Sequence, residues 1–202
     1  MKKISLVQAK VLKPYLQGDL DALCGLYSSI NAIRLAIYHE KRLTKRHAKE
    51  LMEEGLDYLG RRKLRLLSVC SYGMGKTRRL KLIQRLFNYI LMEWDIELEM
   101  IPFFVNDSDR LEAQFIEFIR QQLTIGNPVC MKMKGDHNHY SVITGLSSNY
   151  IELFDSDGLN KLIRKSVRVG KDGPELRHTL LHTACFGVKI STEKQINAKP
   201  YV

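Results

Sequence analysis

The 202-residue sequence has no long apolar run, no low-complexity linker and no internal repeat. No stretch approaches the roughly 18 apolar residues that a membrane-spanning helix requires. The basic N-terminus is not followed by the apolar run of at least about 7 residues that characterises a secretory signal. We therefore expect a cytoplasmic protein without membrane contact. Hydrophobic residues make up 45% and charged residues 27% of the chain, a composition that fits a folded globular domain.

The sequence contains only four cysteines, and no two of them form a C-x-x-C pair. They are Cys24, Cys70, Cys130 and Cys185. This scatter argues against a zinc ribbon or a disulfide scaffold, so we expect free thiols in a reducing compartment. His178 and His182 stand one helical turn apart before Cys185, but the spacing matches no zinc site. We predict neither a metal ion nor another cofactor.

Nucleotide and nucleic-acid motifs are also incomplete. The segment Gly73 to Thr77 resembles the end of a phosphate-binding loop, but the first glycine of that motif would fall at Cys70. The net charge of +10 is concentrated in three segments, Lys41 to Lys49, Arg61 to Arg65 and Lys76 to Arg85. Because no aromatic residues interleave with them, we expect a solvated helical surface rather than nucleic-acid binding. An acidic partner for this region stays open as an alternative.

Hydrophobic periodicity predicts helices first and strands later. The predicted helices are Cys24 to Tyr38, Thr44 to Tyr58 with Thr44 as its cap, Arg78 to Met92, and Asp109 to Leu123. The predicted strands are Pro128 to Met133, Tyr140 to Leu146, Tyr150 to Phe154, Leu162 to Val169, and Ala184 to Ile190. We therefore predict one α+β domain over residues 1–202, with a cleft between its helical and strand halves.

Cys24 directly precedes the apolar stripe of Leu26, Ile30 and Ile33, after an approach that contains glycine and aspartate. This pattern predicts that the thiol lies at the N-terminus of a helix. There the helix dipole and the free backbone amides favour the thiolate, the form of cysteine that attacks a carbonyl carbon. The same amides could bind an oxyanion. A buried structural cysteine is the alternative interpretation.

His139 opens a predicted strand, and a turn at residues 147–149 leads into the next strand and Asp155. If that turn centres on Ser148, Asp155 opposes Ser141 and lies diagonal to His139, within side-chain reach. The carboxylate could then orient the imidazole toward the thiol. A register slip of one residue would move Asp155 to the other face, and Asp157 is the alternative acid.

These residues together form a familiar pattern. It consists of Gln17, Cys24-Gly25, Gly126 to Val129, His139 to Gly145, and Phe154 to Gly158. The pattern resembles the papain-like cysteine peptidase superfamily, in particular the bacteriocin-processing, double-glycine peptidases, over residues 14–160. The family does not account for residues 40–100, which we interpret as a basic helical insert.

The resemblance implies a papain-like fold, with the nucleophile at a helix start in the N-terminal half and an antiparallel sheet in the C-terminal half. It implies Cys24 as nucleophile, His139 as general base and then acid, Asp155 as orienting acid, and Gln17 as the oxyanion-hole side chain. The implied substrate is a peptide or protein amide, cleaved through a thioester. A glutamine deamidase or transglutaminase-like effector, and a non-catalytic binding module that docks an acidic partner on its insert, are the alternatives.

Overall fold

The computed structural model describes residues 2–19, 21–61, 63–170 and 177–191, which form an α+β structure as predicted. Its helices are α1 (Val7–Val11), α2 (Cys24–Ala36), α3 (Lys45–Gly60), α4 (Lys63–Tyr72), α5 (Lys76–Trp94) and α6 (Leu111–Thr124). Its strands are β1 (Ile4–Ser5), β2 (Leu98–Pro102), β3 (Val129–Gly135), β4 (His139–Leu146), β5 (Tyr150–Leu153), β6 (Lys161–Ile163), β7 (Val167–Val169), β8 (His178–Leu180) and β9 (Phe186–Ile190). Short 3-10 turns cover Ser108–Arg110, Arg164–Ser166 and His182–Ala184.

The four predicted helices are present as α2, α3, α5 and α6, which confirms the helical periodicity. Thr44 caps α3, because its hydroxyl accepts a hydrogen bond from the backbone N–H of His47 at 3.3 Å. Helices α1 and α4 are additions to the prediction: α1 has only five residues, and α4 lies in a segment whose basic residues interrupt the apolar pattern. The side chains of residues 62–65, which belong to one predicted basic segment, lie outside the described residues.

Four predicted strands correspond to β3, β4, β5 and β9. The prediction of one continuous strand from Leu162 to Val169 is wrong, because a 3-10 turn divides this segment into β6 and β7. The break has a topological reason: β6 pairs with β5, whereas β7 pairs in parallel with β8 elsewhere in the sheet. Strands β1, β2 and β8 are additions: β1 and β8 have only two and three residues, and β2 mixes charged with apolar residues.

The described strands form one nine-stranded sheet with the central order β2-β9-β3-β4-β5-β6. Strand β1 pairs with the end of β4, and β8 pairs with the end of β3. All pairs are antiparallel except β7 with β8. Strands β3 and β4 therefore lie in the interior of the sheet, and β4 carries His139 at its first position.

Helices cover both faces of this sheet. Along β3, Cys130 packs with helices α2 to α5 on one face, whereas Val129 and Met131 pack with α6 on the other. Such alternation is what a strand buried on both faces requires. Leu51 of α3 and Leu82 of α5 have no exposed surface, so the helices of the predicted basic insert share the hydrophobic core of α2.

The hairpin of β4 and β5 contains a register shift at Thr144. Near the turn, Gly145 faces Glu152, whereas on the other side of the shift Ile143 faces Leu153. Strand β4 therefore has one residue more than β5 between these two pairs. This is the arrangement of a β-bulge, which changes the direction of side chains on one strand relative to its partner.

The bulge decides which face of the sheet Asp155 occupies. Pairing without the bulge would continue from the turn and bring Asp155 opposite Val142, away from His139. With the bulge, the backbone N–H of Phe154 donates to the Val142 carbonyl at 2.8 Å, and Asp155 contacts Ser141. The predicted position of Asp155 opposite Ser141 is confirmed, although the turn itself has a different register from the predicted one.

The packing of α3 on α2 generates a prediction about stability. A Cβ atom added at Gly55 would lie 2.5 Å from Cδ1 of the fully buried Leu26, whereas one added at Gly60 would lie 3.7 Å from the nearest neighbour. We expect Gly55→Ala to lower the free energy of unfolding by about 1 to 3 kcal/mol, because overpacking outweighs the helix propensity gained. Gly60→Ala, the matched control, should be neutral or slightly stabilising. Equal urea midpoints for the two variants would contradict this account of the packing.

Candidate active site

Cys24 is the first residue of α2 and is 9% exposed. The chain that leads to it is held by Asp21, whose carboxylate accepts hydrogen bonds from the backbone N–H groups of Leu23 at 2.9 Å and Gly18 at 3.2 Å. The Ala22 N–H donates to the Cys70 carbonyl at 2.8 Å, which attaches the same segment to α4. The predicted location of the thiol at the helix N-terminus is confirmed. The helix dipole and free amides of the first turn therefore act on this sulfur.

His139 and Asp155 form the second part of the site. His139 Nε2 lies 2.8 Å from Asp155 Oδ2, and both side chains are buried. The other carboxylate oxygen, Oδ1, accepts hydrogen bonds from the backbone N–H groups of Asp157 at 2.8 Å and Leu159 at 3.2 Å. Asp157 itself is exposed. Of the two acids proposed from the sequence, Asp155 is thus the one that contacts His139.

The His139 imidazole and the backbone of Tyr140 adjoin the Cys24 thiol, and both interact with it in the direction that favours the thiolate. Because Nε2 of His139 faces Asp155, the other ring nitrogen is the one available to the sulfur. The structure therefore brings together the three residues that the sequence analysis proposed. They come from the start of α2, the start of β4 and the loop after β5, and they form the order thiol, imidazole, carboxylate.

The pKa values of Cys24, His139 and Asp155 are all shifted toward the charged form of each group. Burial raises the pKa of Cys24, but hydrogen bonds from His139 and Tyr140 and nearby positive charge outweigh it, so the pKa lies below its ordinary value. Burial lowers the pKa of His139, but Asp155 and Cys24 together raise it to about 10. Burial raises the pKa of Asp155, yet its hydrogen bonds leave it lowered overall. At neutral pH His139 is therefore an imidazolium and Asp155 a carboxylate, and the lowered pKa of Cys24 favours its thiolate form.

Two other cysteines have the opposite character. Burial raises the pKa of Cys130, and it raises the pKa of Cys185 to about 12. Both side chains lie inside the protein, with 0% and 4% exposure. A thiol with a raised pKa is a poor nucleophile at neutral pH. Burial alone would therefore make Cys24 inert, and the hydrogen bonds with His139 and Tyr140 are what distinguish it.

Gln17 lies against the loop that carries Asp155. Its backbone N–H donates to the Ser156 carbonyl at 2.9 Å, and the Ser156 hydroxyl donates to Gln17 Oε1 at 3.4 Å. These contacts bring the N-terminal segment to the residue that follows Asp155 and turn the oxygen of the amide toward Ser156. The Nε2 group of Gln17 remains the side-chain donor for a ligand.

Other motifs in the sequence have structural roles. Gly75 precedes α5, which confirms a loop before a basic helix, and the neighbouring Met74 packs on Gly25. His137 is exposed and stacks on His178 with ring centroids 5.7 Å apart. Over the described residues, no group of three His, Cys, Asp or Glu side chains is arranged to hold a metal ion.

The sequence analysis missed two basic residues near Cys24, Arg79 and Lys132. Arg79 is 1% exposed, and its positive charge contributes to the lowered pKa of Cys24. Lys132 faces Tyr140 across the β3–β4 pair, with its Nζ 4.8 Å from the centre of the ring. A signal for Arg79 was present in the sequence, because it falls on the same helical stripe as Leu82, Ile83 and Leu86.

No family model, no curated protein and no solved structure matches this chain. Within residues 2–19, 21–61, 63–170 and 177–191, no helix has the length and apolar character needed to cross a membrane.

The contact between His139 and Asp155 can be tested with a pair of matched variants. We expect Asp155→Asn to lower the pKa of His139 and raise that of Cys24, because the imidazolium loses its carboxylate partner. Alkylation of Cys24 by iodoacetamide at pH 6.5, followed by mass spectrometry, should slow about tenfold or more. Asp157→Asn removes the exposed carboxylate and should leave the rate unchanged. Equal slowing in both variants would contradict the assignment of Asp155.

Proposed function

We propose that this protein is a papain-like cysteine hydrolase that cleaves amide bonds in peptides or proteins through a thioester intermediate. The observation that carries the proposal is the grouping of three side chains: His139 is hydrogen-bonded to Asp155 and interacts with the Cys24 thiol, whose pKa it lowers. The papain-like assignment is supported by the position of the cysteine at the start of α2 and of the histidine at the start of a central antiparallel strand. Together they combine an activated nucleophile, a base and an orienting group.

In the first half of the proposed reaction, the Cys24 thiolate attacks the carbonyl carbon of the scissile amide. The carbon–sulfur bond forms as negative charge develops on the carbonyl oxygen. The His139 imidazolium then donates its proton to the amide nitrogen, the carbon–nitrogen bond breaks and the amine leaves. The products of this half are a thioester on Cys24 and a neutral imidazole on His139.

In the second half, His139 accepts a proton from a water molecule, and the resulting hydroxide equivalent attacks the thioester carbonyl. The carbon–sulfur bond breaks, a carboxylic acid is released and the thiolate–imidazolium pair is restored. Asp155 keeps the imidazole ring in one orientation throughout, because its Oδ2 holds Nε2 while the two backbone N–H groups hold Oδ1.

The negative oxygen of the tetrahedral intermediates needs hydrogen-bond donors. The backbone N–H groups at the start of α2 adjoin the sulfur, and no intrahelical partner exists for the first of them. We assign the Nε2 group of Gln17 as the side-chain donor, in agreement with the resemblance and with the attachment of Gln17 to the Asp155 loop. Preorganised donors of this kind contribute about 2.7 to 4 kcal/mol to transition-state stabilisation in hydrolases.

The direct test uses the purified chain and three variants. Cys24→Ala and His139→Ala should each lower the rate of cleavage of a panel of peptides and proteins about a thousandfold or more, because both partners of the acyl transfer are required. Cys70→Ala, which changes a thiol outside the site, should retain activity. Cleavage is measured by mass spectrometry of the products, and release of ammonia is measured in parallel.

The same assays separate the alternatives. Ammonia release without chain cleavage would replace hydrolysis of peptide bonds by deamidation, and amine incorporation would indicate a transglutaminase, since all three begin with the same thioester. Failure of an acyl-electrophile probe to label Cys24 selectively, with no effect of His139→Ala on labelling, would favour a non-catalytic module that binds an acidic partner through α3 to α5. Selective labelling that depends on His139 supports catalysis.

The pH dependence provides a second prediction. Activity requires a deprotonated Cys24 and a protonated His139, so kcat/KM should rise as the thiol ionises below its ordinary pKa and fall near pH 10 as the imidazolium loses its proton. The rate is measured with one cleavable peptide from pH 4 to 11, with circular dichroism as the control for folding. A descending limb between pH 6 and 7 would show that His139 does not carry the raised pKa.

A further inference from the structure

Arg79 of α5 is a buried arginine next to the proposed site. It is 1% exposed, its Nη2 donates to the Ser28 hydroxyl at 3.2 Å, and its guanidinium carbon lies 4.4 Å from the centre of the Tyr140 ring. The ring of Phe186 lies on the guanidinium as well, at 5.3 Å. An arginine is rarely buried to this extent unless its charge is compensated.

The contacts of Arg79 connect the two elements that carry the nucleophile and the base. Ser28 lies one helical turn after Cys24 on α2, and Tyr140 directly follows His139 on β4. One guanidinium therefore touches both α2 and β4 immediately beside the reacting side chains. A change in its shape would alter the relative position of those two elements.

The charge of Arg79 has no carboxylate partner among these contacts. Its neighbours are a serine hydroxyl, two aromatic rings and the thiol of Cys130, and its Nε is a buried donor without a partner in the part of the chain that the structure describes. Arginine stays protonated in proteins, so this positive charge persists at every relevant pH. A nearby anion would offset the cost of desolvating this buried charge.

The group that can supply this anion is the Cys24 thiolate. Charged groups face Cys24 from three elements: His139 of β4 with Asp155 behind it, Lys132 of β3, and Arg79 of α5. Lys132 is partly exposed and His139 must give up its proton during the reaction, whereas Arg79 is buried and permanently charged. Arg79 is therefore a buried cation beside Cys24 whose charge persists when His139 is neutral.

We propose that Arg79 is a positioning residue of the site: it supplies a permanent buried positive charge to the Cys24 thiolate and holds α2 against β4 beside His139. The inference rests on the proposed role of Cys24 as nucleophile. It assigns to α5, part of the region that resembles nothing in the family, a direct function in maintaining the reactive thiolate. During deacylation, when His139 is a neutral base, this charge favours the departing thiolate.

The test measures the reactivity of the thiol, which does not require turnover. The rate of Cys24 alkylation by iodoacetamide is recorded from pH 5 to 10 for the unchanged protein and for Arg79→Met, Arg79→Gln, Arg79→Lys and Lys81→Gln, with mass spectrometry to identify the modified cysteine. We expect both neutral variants to react about two- to threefold more slowly at pH 6.5, with the whole profile displaced to higher pH. Arg79→Lys should lie close to the unchanged protein because it keeps the charge.

Lys81→Gln is the control, since it removes one positive charge from an exposed position of the same helix. It should leave the profile unchanged. A folded Arg79→Met or Arg79→Gln with an unchanged alkylation profile would overturn the proposal. If neither neutral variant folds, the Arg79→Lys variant decides. An alkylation profile displaced to higher pH by as much as is expected for the neutral variants would show that the positive charge of residue 79 is not what favours the Cys24 thiolate. An unchanged profile supports the proposal.

This experiment also separates the inference from the proposed function. If the pH profile of Cys24 alkylation depends on Arg79 but the protein cleaves no amide, the role of Arg79 is supported and the hydrolase assignment is wrong. Cleavage that depends on Cys24 together with an alkylation profile independent of Arg79 would retain the hydrolase and remove the inference. Circular dichroism and thermal unfolding of each variant establish that the compared proteins are folded.

Discussion

The hydrogen bond between His139 and Asp155 is the interaction on which the rest of the site depends. Asp155 is 2% exposed, and a carboxylate buried to that extent is costly unless it is paired and hydrogen-bonded. Its two oxygens are occupied by the imidazole and by two backbone N–H groups. The same contact keeps His139 protonated, and the protonated ring in turn stabilises the thiolate of Cys24. Without it, burial would act on His139 with less opposition, lowering its pKa and thereby weakening its support for the thiolate.

The contact between His139 and Asp155 requires the backbone to place both side chains on the same face of the sheet. Cys24 comes from a segment far from the hairpin that supplies His139 and Asp155. The central β3–β4 pair fixes His139, and the bulge at Thr144 brings Asp155 to the same face. A bulge changes the register of everything beyond it, so one additional residue in β4 has a direct chemical consequence. The position of the acid is determined by pairing geometry more than by its own loop.

Much of the site could be predicted from local patterns. Cys24 precedes an apolar stripe and His139 begins a strand, and both features are visible within about ten residues of sequence. The prediction that Asp155 lies opposite Ser141 required an assumed turn at Ser148. The structure has a different register near that turn, and the bulge restores the predicted pairing beyond it. The division of Leu162 to Val169 could not be predicted, because it arises from the pairing of β7 with β8, a long-range contact that leaves no local periodicity.

Arg79 shows how a charge pattern can conceal a buried residue. The segment Lys76 to Arg85 is basic, and most such segments are solvated, yet α5 is amphipathic and Arg79 occupies its apolar face with Leu82 and Leu86. An arginine at a core position of a helix needs an anion or hydrogen-bond acceptors from other elements. Here the elements in contact are those that carry Cys24 and His139, so the helix that provides the basic surface also contributes to the electrostatics of the thiol.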